Sequence, residues 1–385
     1  MKVLFQSRVD LFDRPGGDTV QMKETKKALE KLGITVDINN SLNVNLTNYD
    51  IVHIFNLDWV CEAYLYVKNA KKYNKKVVLS PIHHNLTEFK RYEKENRWGL
   101  AKLGNFLIPF QPFRDSTRNL VKSFFDLRKL KPALIQFIVG IRREQKYVLD
   151  NCDYVLVQTN KEATDLKIAY KPKKVFRWKK VVNGVNIEKF SHPDFTGAKK
   201  LINEDTYIFC VGRIEPRKNQ IALIEAVSQI KKSEPLRYSN LKVVFAGAVN
   251  SHHPTYAKKF KKYLKKFPFT IYLGFVEQNI LAAVYKNAKV FAVPSWFETT
   301  GLVYLEAVVA GCTSVVASGD RAFEYLDKNG IYCDPGSLSD IKKALKIALN
   351  KNTVSTNFKN KVKVLYTWDK AAKQTLQVYN SVIRD

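Results

Sequence analysis

The chain has 385 residues, of which 45% are hydrophobic, so it is long enough to form two domains with separate cores. Its 64 Lys and Arg residues outnumber its 36 Asp and Glu residues, and the net charge of +28 favours an anionic partner or surface. The sequence has no C2H2 spacing, no aromatic RNP-like strand and no basic tail, so we expect no nucleic acid partner. Charge spread this widely also fits solvated helix faces without any partner.

The cysteines are distant from one another and never in C-x-x-C spacing; they are Cys61, Cys152, Cys210, Cys312 and Cys333. This pattern favours reduced core thiols in a cytoplasmic protein over a disulfide framework or a zinc site. No apolar run approaches the ~20 residues of a membrane-spanning helix, and the first residues lack the long apolar region of a signal peptide. We therefore expect a cytoplasmic protein, with peripheral binding at the inner face of the cell membrane as its only membrane contact.

Short apolar strands alternate with helical stretches along the chain, which is typical of parallel sheets covered by helices on both faces. The predicted strands are 3–6, 36–38, 51–55, 77–80, 154–158 and 181–182, followed by 207–211, 242–246, 270–273, 289–293 and 314–317. These form two successive doubly wound units. The predicted linker lies within residues 192–203, where Pro193 and Gly197 have mostly polar neighbours.

Residues 86–148 are predicted to be a basic insertion between two strands of the first unit. From Glu88 to Lys146 the sequence has 14 Lys and Arg and 6 Asp and Glu, and 14 − 6 gives a net charge of +8. Apolar side chains are interleaved, and one helical face is formed by Leu103, Phe106, Leu107 and Phe110 until Pro109 interrupts it. Cations beside aromatic side chains suit a lipid headgroup region, so we expect acceptor capture at an anionic membrane surface. The alternative is that the apolar residues pack onto the first core and the cations are solvated.

Glu298 and Glu306 enclose the sequence E-T-T-G-L-V-Y-L-E, which is predicted to be a loop leading from a strand into a helix. Such a segment places backbone N–H groups, the positive end of a helix dipole and a carboxylate around one point, which suits a phosphorylated ligand that also carries hydroxyl groups. The two acids are about two turns apart at ~3.6 residues per turn, so both can face one cleft. An ordinary pair of surface acids at a helix start is the alternative.

The sequence G-R-I-E-P-R-K-N-Q follows the predicted strand 207–211 and leads into a helix at about Asn219. It gathers Arg213, Arg217 and Lys218 at the carboxyl end of a parallel strand, where open α/β folds bind anionic ligands. Arg can hold two phosphate oxygens while Lys adds a mobile charge. Since neither G-x-G nor D-x-D occurs, a standard dinucleotide site and an acidic metal site are both disfavoured. A solvated turn is the alternative.

Four further sequences accompany these motifs: K-K-V-V-N-G-V-N-I-E-K-F, I-Y-L-G-F-V, V-P-S-W-F-E-T-T-G-L and L-E-A-V-V-A-G-C. Together they resemble the retaining GT-B-fold glycosyltransferases that use nucleotide-sugar donors, the glycosyl transferases group 1. The resemblance is strongest from Val181 to about Val316 and weak across the insertion. It implies an α/β fold of the GT-B type, two doubly wound Rossmann-like domains that face a cleft. Residues 1–193 would bind the acceptor, 194–367 the donor, and 368–385 would form a helix that crosses back onto the first domain.

The resemblance also implies roles for individual residues. Arg213 and Lys218 would bind the donor diphosphate, and Glu306 would accept hydrogen bonds from the ribose hydroxyls. Glu298 would hold hydroxyl groups of the donor sugar as a catalytic residue. With charge on the leaving diphosphate neutralised in this way, attack on the anomeric carbon becomes easier.

Backbone groups complete the implied donor site. The N–H groups that would face the distal phosphate are those of Thr300, Gly301 and Leu302. The main chain of Val276 would lie near the base. In the first domain, Gly16 and Gly17 match the family's glycine loop, where the backbone approaches phosphate or acceptor closely.

His83 and His84 follow a predicted strand at the place where the family usually has one histidine, and either would be catalytic. Which of them faces the sugar stays open, and a structural histidine at a strand end is the alternative.

The sequence thus predicts a hexosyltransferase that moves a sugar from a nucleotide-sugar donor to a glycan or lipid-linked acceptor, in the synthesis of a cell-surface polysaccharide or glycan. The family alone implies retention of anomeric configuration. No feature of the chain demands a metal, so we expect no cofactor and metal-independent activity. The alternatives are a nucleotide-sugar epimerase or a phosphorylase on the same fold, or a non-catalytic polyanion-binding protein.

Overall fold

The structure, a computed structural model, describes residues 1–96, 111–204, 206–351 and 354–384, without the side chains of Asn96 and Asp320. The strands are β1 (Lys2–Gln6), β2 (Thr35–Ile38), β3 (Ile51–Phe55), β4 (Lys76–Ser80), β5 (Tyr154–Val157), β6 (Trp178–Lys180), β7 (Tyr207–Val211), β8 (Lys242–Ala246), β9 (Thr270–Tyr272), β10 (Val290–Val293), β11 (Thr313–Ala317) and β12 (Ile331–Cys333). The helices up to residue 201 are α1 (Gly17–Glu30), α2 (Val60–Lys72), α3 (Leu86–Asn96), α4 (Gln111–Ser123), α5 (Leu130–Val139), α6 (Ile141–Asn151), α7 (Asn160–Tyr170) and α8 (Phe195–Leu201). The later helices are α9 (Gln220–Ser233), α10 (Pro235–Tyr238), α11 (Pro254–Lys266), α12 (Gln278–Asn287), α13 (Leu302–Ala310), α14 (Asp320–Leu326), α15 (Leu338–Asn350), α16 (Thr356–Leu365) and α17 (Trp368–Arg384).

The strands form two six-stranded parallel sheets, with the orders β2-β1-β3-β4-β5-β6 and β12-β11-β10-β7-β8-β9. Every residue of β3 and of β7 is buried, which explains why β7 is a continuous apolar run and why β3 is apolar apart from His53. Helices connect most successive strands, since parallel strands need crossover connections; residues 39–50, between β2 and β3, contain no helix. The predicted α/β architecture of two doubly wound units is confirmed.

Most predicted strands begin and end within one residue of the observed ones. The prediction at 181–182 was wrong, because β6 lies at Trp178–Lys180 and Val181 only extends the ladder by donating to the Val157 carbonyl at 2.8 Å. β6 is a partly exposed edge strand in which two of three residues are lysines, so it lacks the apolar pattern that predicts a strand. The sequence analysis also missed β12, which has only three residues and therefore too little pattern to recognise.

The chain divides into two compact units. The first comprises 1–86, the described residues from 111 to 184, and 368–384; the second comprises 87–96 and the described residues from 185 to 367. The chain therefore changes unit at Gly184 and Val185 rather than at the expected 193/194. Residues 192–203 contain α8, which Asp194 caps by accepting from Gly197 N, and Asp194 N donates to Asn279 O at 3.1 Å. The predicted linker is thus a packed part of the second unit.

The last helix, α17, packs against α1 in the first unit. Tyr379 on α17 is buried, and its hydroxyl lies 2.6 Å from Nδ1 of the buried His53, whose Nε2 lies 2.9 Å from Ser80 Oγ. Burial lowers the pKa of His53 to about 3, so the imidazole is neutral at pH 7. These contacts join the end of the chain to β3 and β4.

The predicted apolar face at residues 103–110 lies outside the described residues. Among the residues that the structure does describe, no helix has the length and apolar character needed to cross a membrane.

Candidate functional site

The main charged cluster of the second unit lies after β7 and β10, which are neighbouring strands. After β7 the chain forms a 3-10 helix, Pro216–Lys218, and Asn219 then adopts a left-handed conformation (φ 58°) before α9. Trp296 N donates to the Arg217 carbonyl at 2.8 Å and so ties the loop after β10 to this turn. This hydrogen bond holds together two loops at the carboxyl ends of parallel strands. Doubly wound folds bind their ligands at this edge of the sheet.

Ion pairs connect the side chains of these loops. Lys218 Nζ lies 2.5 Å from Glu298 Oε1, and Arg217 Nη1 lies 3.3 Å from Glu298 Oε2. Arg217 Nη2 also lies 3.0 Å from Glu215 Oε1, and Asn250 Nδ2 donates to Glu215 Oε2 at 2.6 Å. The four charged side chains are between 5% and 20% exposed, so solvent screens these pairs only weakly.

Both carboxylates of the cluster stay ionised. Burial alone would raise the pKa of the Glu298 carboxyl, but Lys218 and Arg217 lower it by more, so the pKa is about 2. Burial likewise raises the pKa of Glu215, while Arg217 and Arg213 lower it to about 2. If the nearby Arg213 is counted with Arg217 and Lys218, three cations stand against Glu215 and Glu298. The cluster then has a net charge of +1 and suits an anionic ligand.

Arg213 lies at the outer side of the cluster. Its side chain is 44% exposed and its Nε is 3.8 Å from Glu215 Oε2. Gln220 Nε2 donates to the Arg213 carbonyl at 2.9 Å, which fixes the backbone while the guanidinium stays accessible. The structure therefore brings Arg213, Lys218 and Glu298 together, and adds Arg217 and Glu215, whose roles the sequence analysis left unassigned.

The predicted backbone donors lie where α13 begins. Gly301 precedes the helix with φ 61°, and a Cβ at this position would lie 2.5 Å from the Tyr304 ring. Only glycine is compatible with both restrictions. As a glycine, Gly301 also has no side-chain oxygen to cap the first turn, which Leu302 begins. Thr300, just before it, is buried.

Glu298 lines a recess that also includes Glu88, Trp296 and Arg321. Glu88 belongs to α3, whose residues 87–96 are part of the second unit. The ring of Phe89 lies 5.5 Å from that of Phe297. The sequence analysis assigned this segment to the first domain, because nothing in its local pattern indicates where it packs.

Glu306 lies in a different recess, with Lys189 and Gln278. Tyr285 Oη donates to Glu306 Oε2 at 2.9 Å, and burial raises the pKa of the Glu306 carboxyl although Tyr285 and Lys189 oppose that shift. Val276, the other predicted nucleotide contact, is buried between β9 and α12. The recess that Glu298 lines does not include Glu306, and the recess that Glu306 lines does not include Glu298.

In the first unit, Gly16 and Gly17 stand at the start of α1. Gly16 N donates to Thr19 Oγ1 at 3.1 Å. Gly17 is exposed, and a Cβ there would meet no atom within 4 Å. The packing of the unit therefore does not itself demand glycine at position 17.

His83 and His84 follow β4 in the first unit and differ sharply in exposure. The His83 side chain is 1% exposed and the His84 side chain 31% exposed. Each Nδ1 hydrogen-bonds to one carboxylate oxygen of Asp58, which follows the neighbouring strand β3. The sequence analysis missed Asp58; an acid shortly after a predicted strand was the available signal. Among the described residues, no three His, Cys, Asp or Glu side chains come together as potential metal ligands.

The comparisons with known proteins agree with this architecture. Residues 194–364 match the family Glycosyl transferases group 1. A D-inositol 3-phosphate glycosyltransferase of Kribbella flavida is 30% identical over 252 residues, which are 62% of this chain and 58% of that protein. The chain spans about half the length of the curated relatives it matches.

Solved glycosyltransferase structures share the fold over the full chain. Sucrose-phosphate synthase of Thermosynechococcus elongatus superposes with a TM-score of 0.74 at 16% identity, and covers 100% of both chains. Anabaena HepE in complex with UDP and glucose gives a TM-score of 0.68 at 15% identity, with 99% of this chain and 100% of that chain covered. Residues 194–364 are therefore similar to the Glycosyl transferases group 1, within a chain that has the GT-B fold.

Proposed function

We propose that this protein is a glycosyltransferase that takes a sugar from a nucleotide-sugar donor, with the donor diphosphate bound at the cluster of Arg213, Arg217, Lys218 and Glu298. The observation that supports the proposal is this cluster itself. Arg213 is accessible after β7, and Arg217 and Lys218, from the same loop, are paired with Glu298 after β10. The UDP and glucose bound by HepE support a nucleoside diphosphate donor with a hexose.

The proposed chemistry follows from the charges. Glu298 balances Lys218 and Arg217 before the donor binds. When a diphosphate approaches, Lys218 and Arg213 can turn towards its oxygens, and the Glu298 carboxylate can accept hydrogen bonds from sugar hydroxyls. The cations then stabilise the negative charge that develops on the leaving diphosphate. We propose transfer with retention of configuration, as the family resemblance implies, and roles for Glu306 and the main chain of Val276 beside the nucleoside.

A donor screen tests the function. We expect one nucleotide sugar to raise the melting temperature and to release nucleoside diphosphate when acceptors are supplied. An epimerase would instead interconvert two nucleotide sugars, and a phosphorylase would require a bound pyridoxal cofactor, visible by its absorbance. A polyanion-binding protein would turn over none of them, which would contradict the proposal.

Activity is expected to persist when divalent metals are removed. The sequence has no D-x-D, and the cationic turn can supply the positive charge that a metal would otherwise bring to the diphosphate. Turnover with excess EDTA should stay within about twofold of the untreated rate. Complete loss on chelation, with recovery on adding Mg²⁺ or Mn²⁺, would show that the charge comes from a metal.

We also propose that the acceptor is a lipid-linked or membrane-bound glycan, reached by peripheral binding at the inner face of the membrane. The support is a segment of the first unit, from α4 through the following turn to α5, that carries several exposed apolar side chains. Its side chains include Phe125 (89% exposed), Ile138 (79%), Leu127 (73%) and Phe124 (64%). The exposed cations Lys131 and Arg128 lie on the same segment. This combination suits the headgroup region of an anionic bilayer.

The variant Phe125→Ser/Ile138→Ser is expected to lose binding to vesicles containing anionic lipid, because about 0.8 kcal/mol of membrane affinity is lost per buried CH₂ group. Flotation with vesicles of graded anionic content measures this. The matched control is Ile168→Ser/Val175→Ser, which replaces two equally exposed apolar residues elsewhere in the first unit (67% and 85%). Charge reversal at Lys129 is a poorer probe, because Lys129 pairs with the buried Asp10. Equal flotation of wild type and both variants would remove this segment from the proposal.

A further inference from the structure

The loops that follow β3 and β4 are locked together in the first unit. Asn56 N donates to the Ser80 carbonyl at 2.9 Å, and Leu57 N donates to the Pro81 carbonyl at 2.7 Å. Asp58 therefore cannot shift relative to the end of β4 without breaking backbone hydrogen bonds.

Asn56 also fixes the direction in which Asp58 points. Its own backbone is left-handed (φ 79°), and its Oδ1 accepts from Asp58 N at 3.0 Å and from Trp59 N at 3.2 Å. An Asn side chain that bonds the backbone two residues later is a compact turn, and Asn tolerates the left-handed conformation that it needs. The Asp58 carboxylate is thus preset before any ligand arrives.

That carboxylate holds both histidines. One oxygen bonds His83 Nδ1, and the other bonds His84 Nδ1 and accepts from His84 N at 3.0 Å. Burial alone would raise the pKa of Asp58, but the two histidines lower it by more. The net shift of the pKa is downward, so the carboxyl group is an ionised acceptor. An acceptor-only carboxylate selects the tautomer with the proton on Nδ1.

His83 is enclosed on its remaining sides and acts as an anchor. Its backbone N–H donates to Glu162 Oε1 at 2.8 Å, and its Nε2 lies 3.4 Å from Tyr170 Oη. Glu162 is itself buried and accepts from Gln158 N at 2.7 Å. A ring this buried cannot reach a substrate, whereas the neighbouring His84 is partly exposed.

Building on the proposed function, we propose that Asp58 is a positioning residue for His84. It fixes the His84 ring with the proton on Nδ1, so that Nε2 offers its lone pair to a hydroxyl group of a sugar substrate. The rigid Asn56 turn and the buried His83 hold the carboxylate in place. Removing a carboxylate that sets a histidine's tautomer and orientation, without itself touching the substrate, commonly lowers activity by about 10- to 100-fold.

The test combines kinetics with the spectrum of the histidine side chains. Asp58→Asn keeps the shape but removes the charge, and its kcat/KM should fall at least about 10-fold, mainly through kcat. In a His84→Ala background the same change should cost at most about twofold, since the two residues act in series. In ¹⁵N-labelled wild-type protein, His84 should be protonated on Nδ1, and Asp58→Asn should give a mixture of tautomers.

Asp153→Asn is the matched control. Asp153 bonds Val77 N at the other end of β4 and is 27% exposed, compared with 21% for Asp58. It should leave both the kinetics and the His84 spectrum unchanged.

Two outcomes would overturn the inference: an equal loss from Asp58→Asn in both backgrounds, or a wild-type His84 protonated on Nε2. The second needs no variant, so it remains decisive if Asp58→Asn does not fold. If no nucleotide sugar is turned over, the proposed function fails, while the tautomer comparison still decides whether Asp58 positions His84.

Discussion

Glu298→Gln is expected to lower kcat/KM by at least about 100-fold, which is about 2.7 kcal/mol of transition-state stabilisation. Gln keeps the size of the side chain but removes the charge that balances Lys218 and Arg217 and that would accept hydrogen bonds from the donor sugar. Steady-state turnover of the donor found in the screen measures the effect. The control is Glu234→Gln, which breaks an ion pair with Lys346 elsewhere in the second unit and should change kcat/KM by less than about twofold. Near-normal turnover by Glu298→Gln would remove Glu298 from the mechanism.

The same substitution should change the pH dependence of stability. The pKa of Glu298 is about 2 in the folded protein and its ordinary value is 4.5. A lowered folded pKa means that the ion pairs stabilise the protein fully above pH 4.5, and that this stability is lost as the pH falls towards 2. Wild type should therefore melt higher than Glu298→Gln at pH 7, by a margin that shrinks at pH 3.5. The variant should still fold, because Arg217 keeps Glu215 as a partner. A margin that grows on acidification would contradict the assigned ion pairs.

Arg213 and Arg217 are expected to differ in what their replacement does to activity and to stability. Arg213→Ala should lower kcat/KM at least about 100-fold and leave the melting temperature nearly unchanged. The Arg213 side chain is 44% exposed and 3.8 Å from Glu215, and exposed pairs of this kind contribute only about 0 to 1 kcal/mol. Arg217→Ala should lose both activity and stability. It leaves the buried Glu215 and Glu298 each with one cation fewer, and breaking a buried pair commonly costs about 3 to 5 kcal/mol.

Thermal melting beside steady-state kinetics separates these outcomes. Arg237→Ala provides the control, since Arg237 is also exposed, in the same unit, and paired with Glu234. If Arg213→Ala is fully active, diphosphate binding does not depend on Arg213. If Arg217→Ala melts like wild type, the ion pairs of Arg217 with Glu215 and Glu298 stabilise the protein less than their burial predicts.

The positions of the strands were predictable from the sequence because burial on both faces produces continuous apolar runs. This holds for β7, and for β3 apart from His53; all residues of both strands are buried. The grouping of Lys218 with Glu298 was also predictable, since each follows a strand and the carboxyl ends of parallel strands meet at one edge. The edge strand β6 and the three-residue β12 were not, because partial exposure and short length leave too little pattern.

Only the tertiary structure decided which side chains complete these sites. Asp58 and His84 are 26 residues apart in sequence, and they meet because β3 and β4 are neighbours in a sheet whose order no local pattern records. The same is true of Glu88, which shares a recess with Glu298 because residues 87–96 pack in the second unit. Burial, which depends on the whole fold, separated His83 from His84, and the recess that Glu306 lines does not include Glu298. The sequence by itself thus determined the strands and the charged motifs at their ends, while long-range packing decided which side chains those motifs meet.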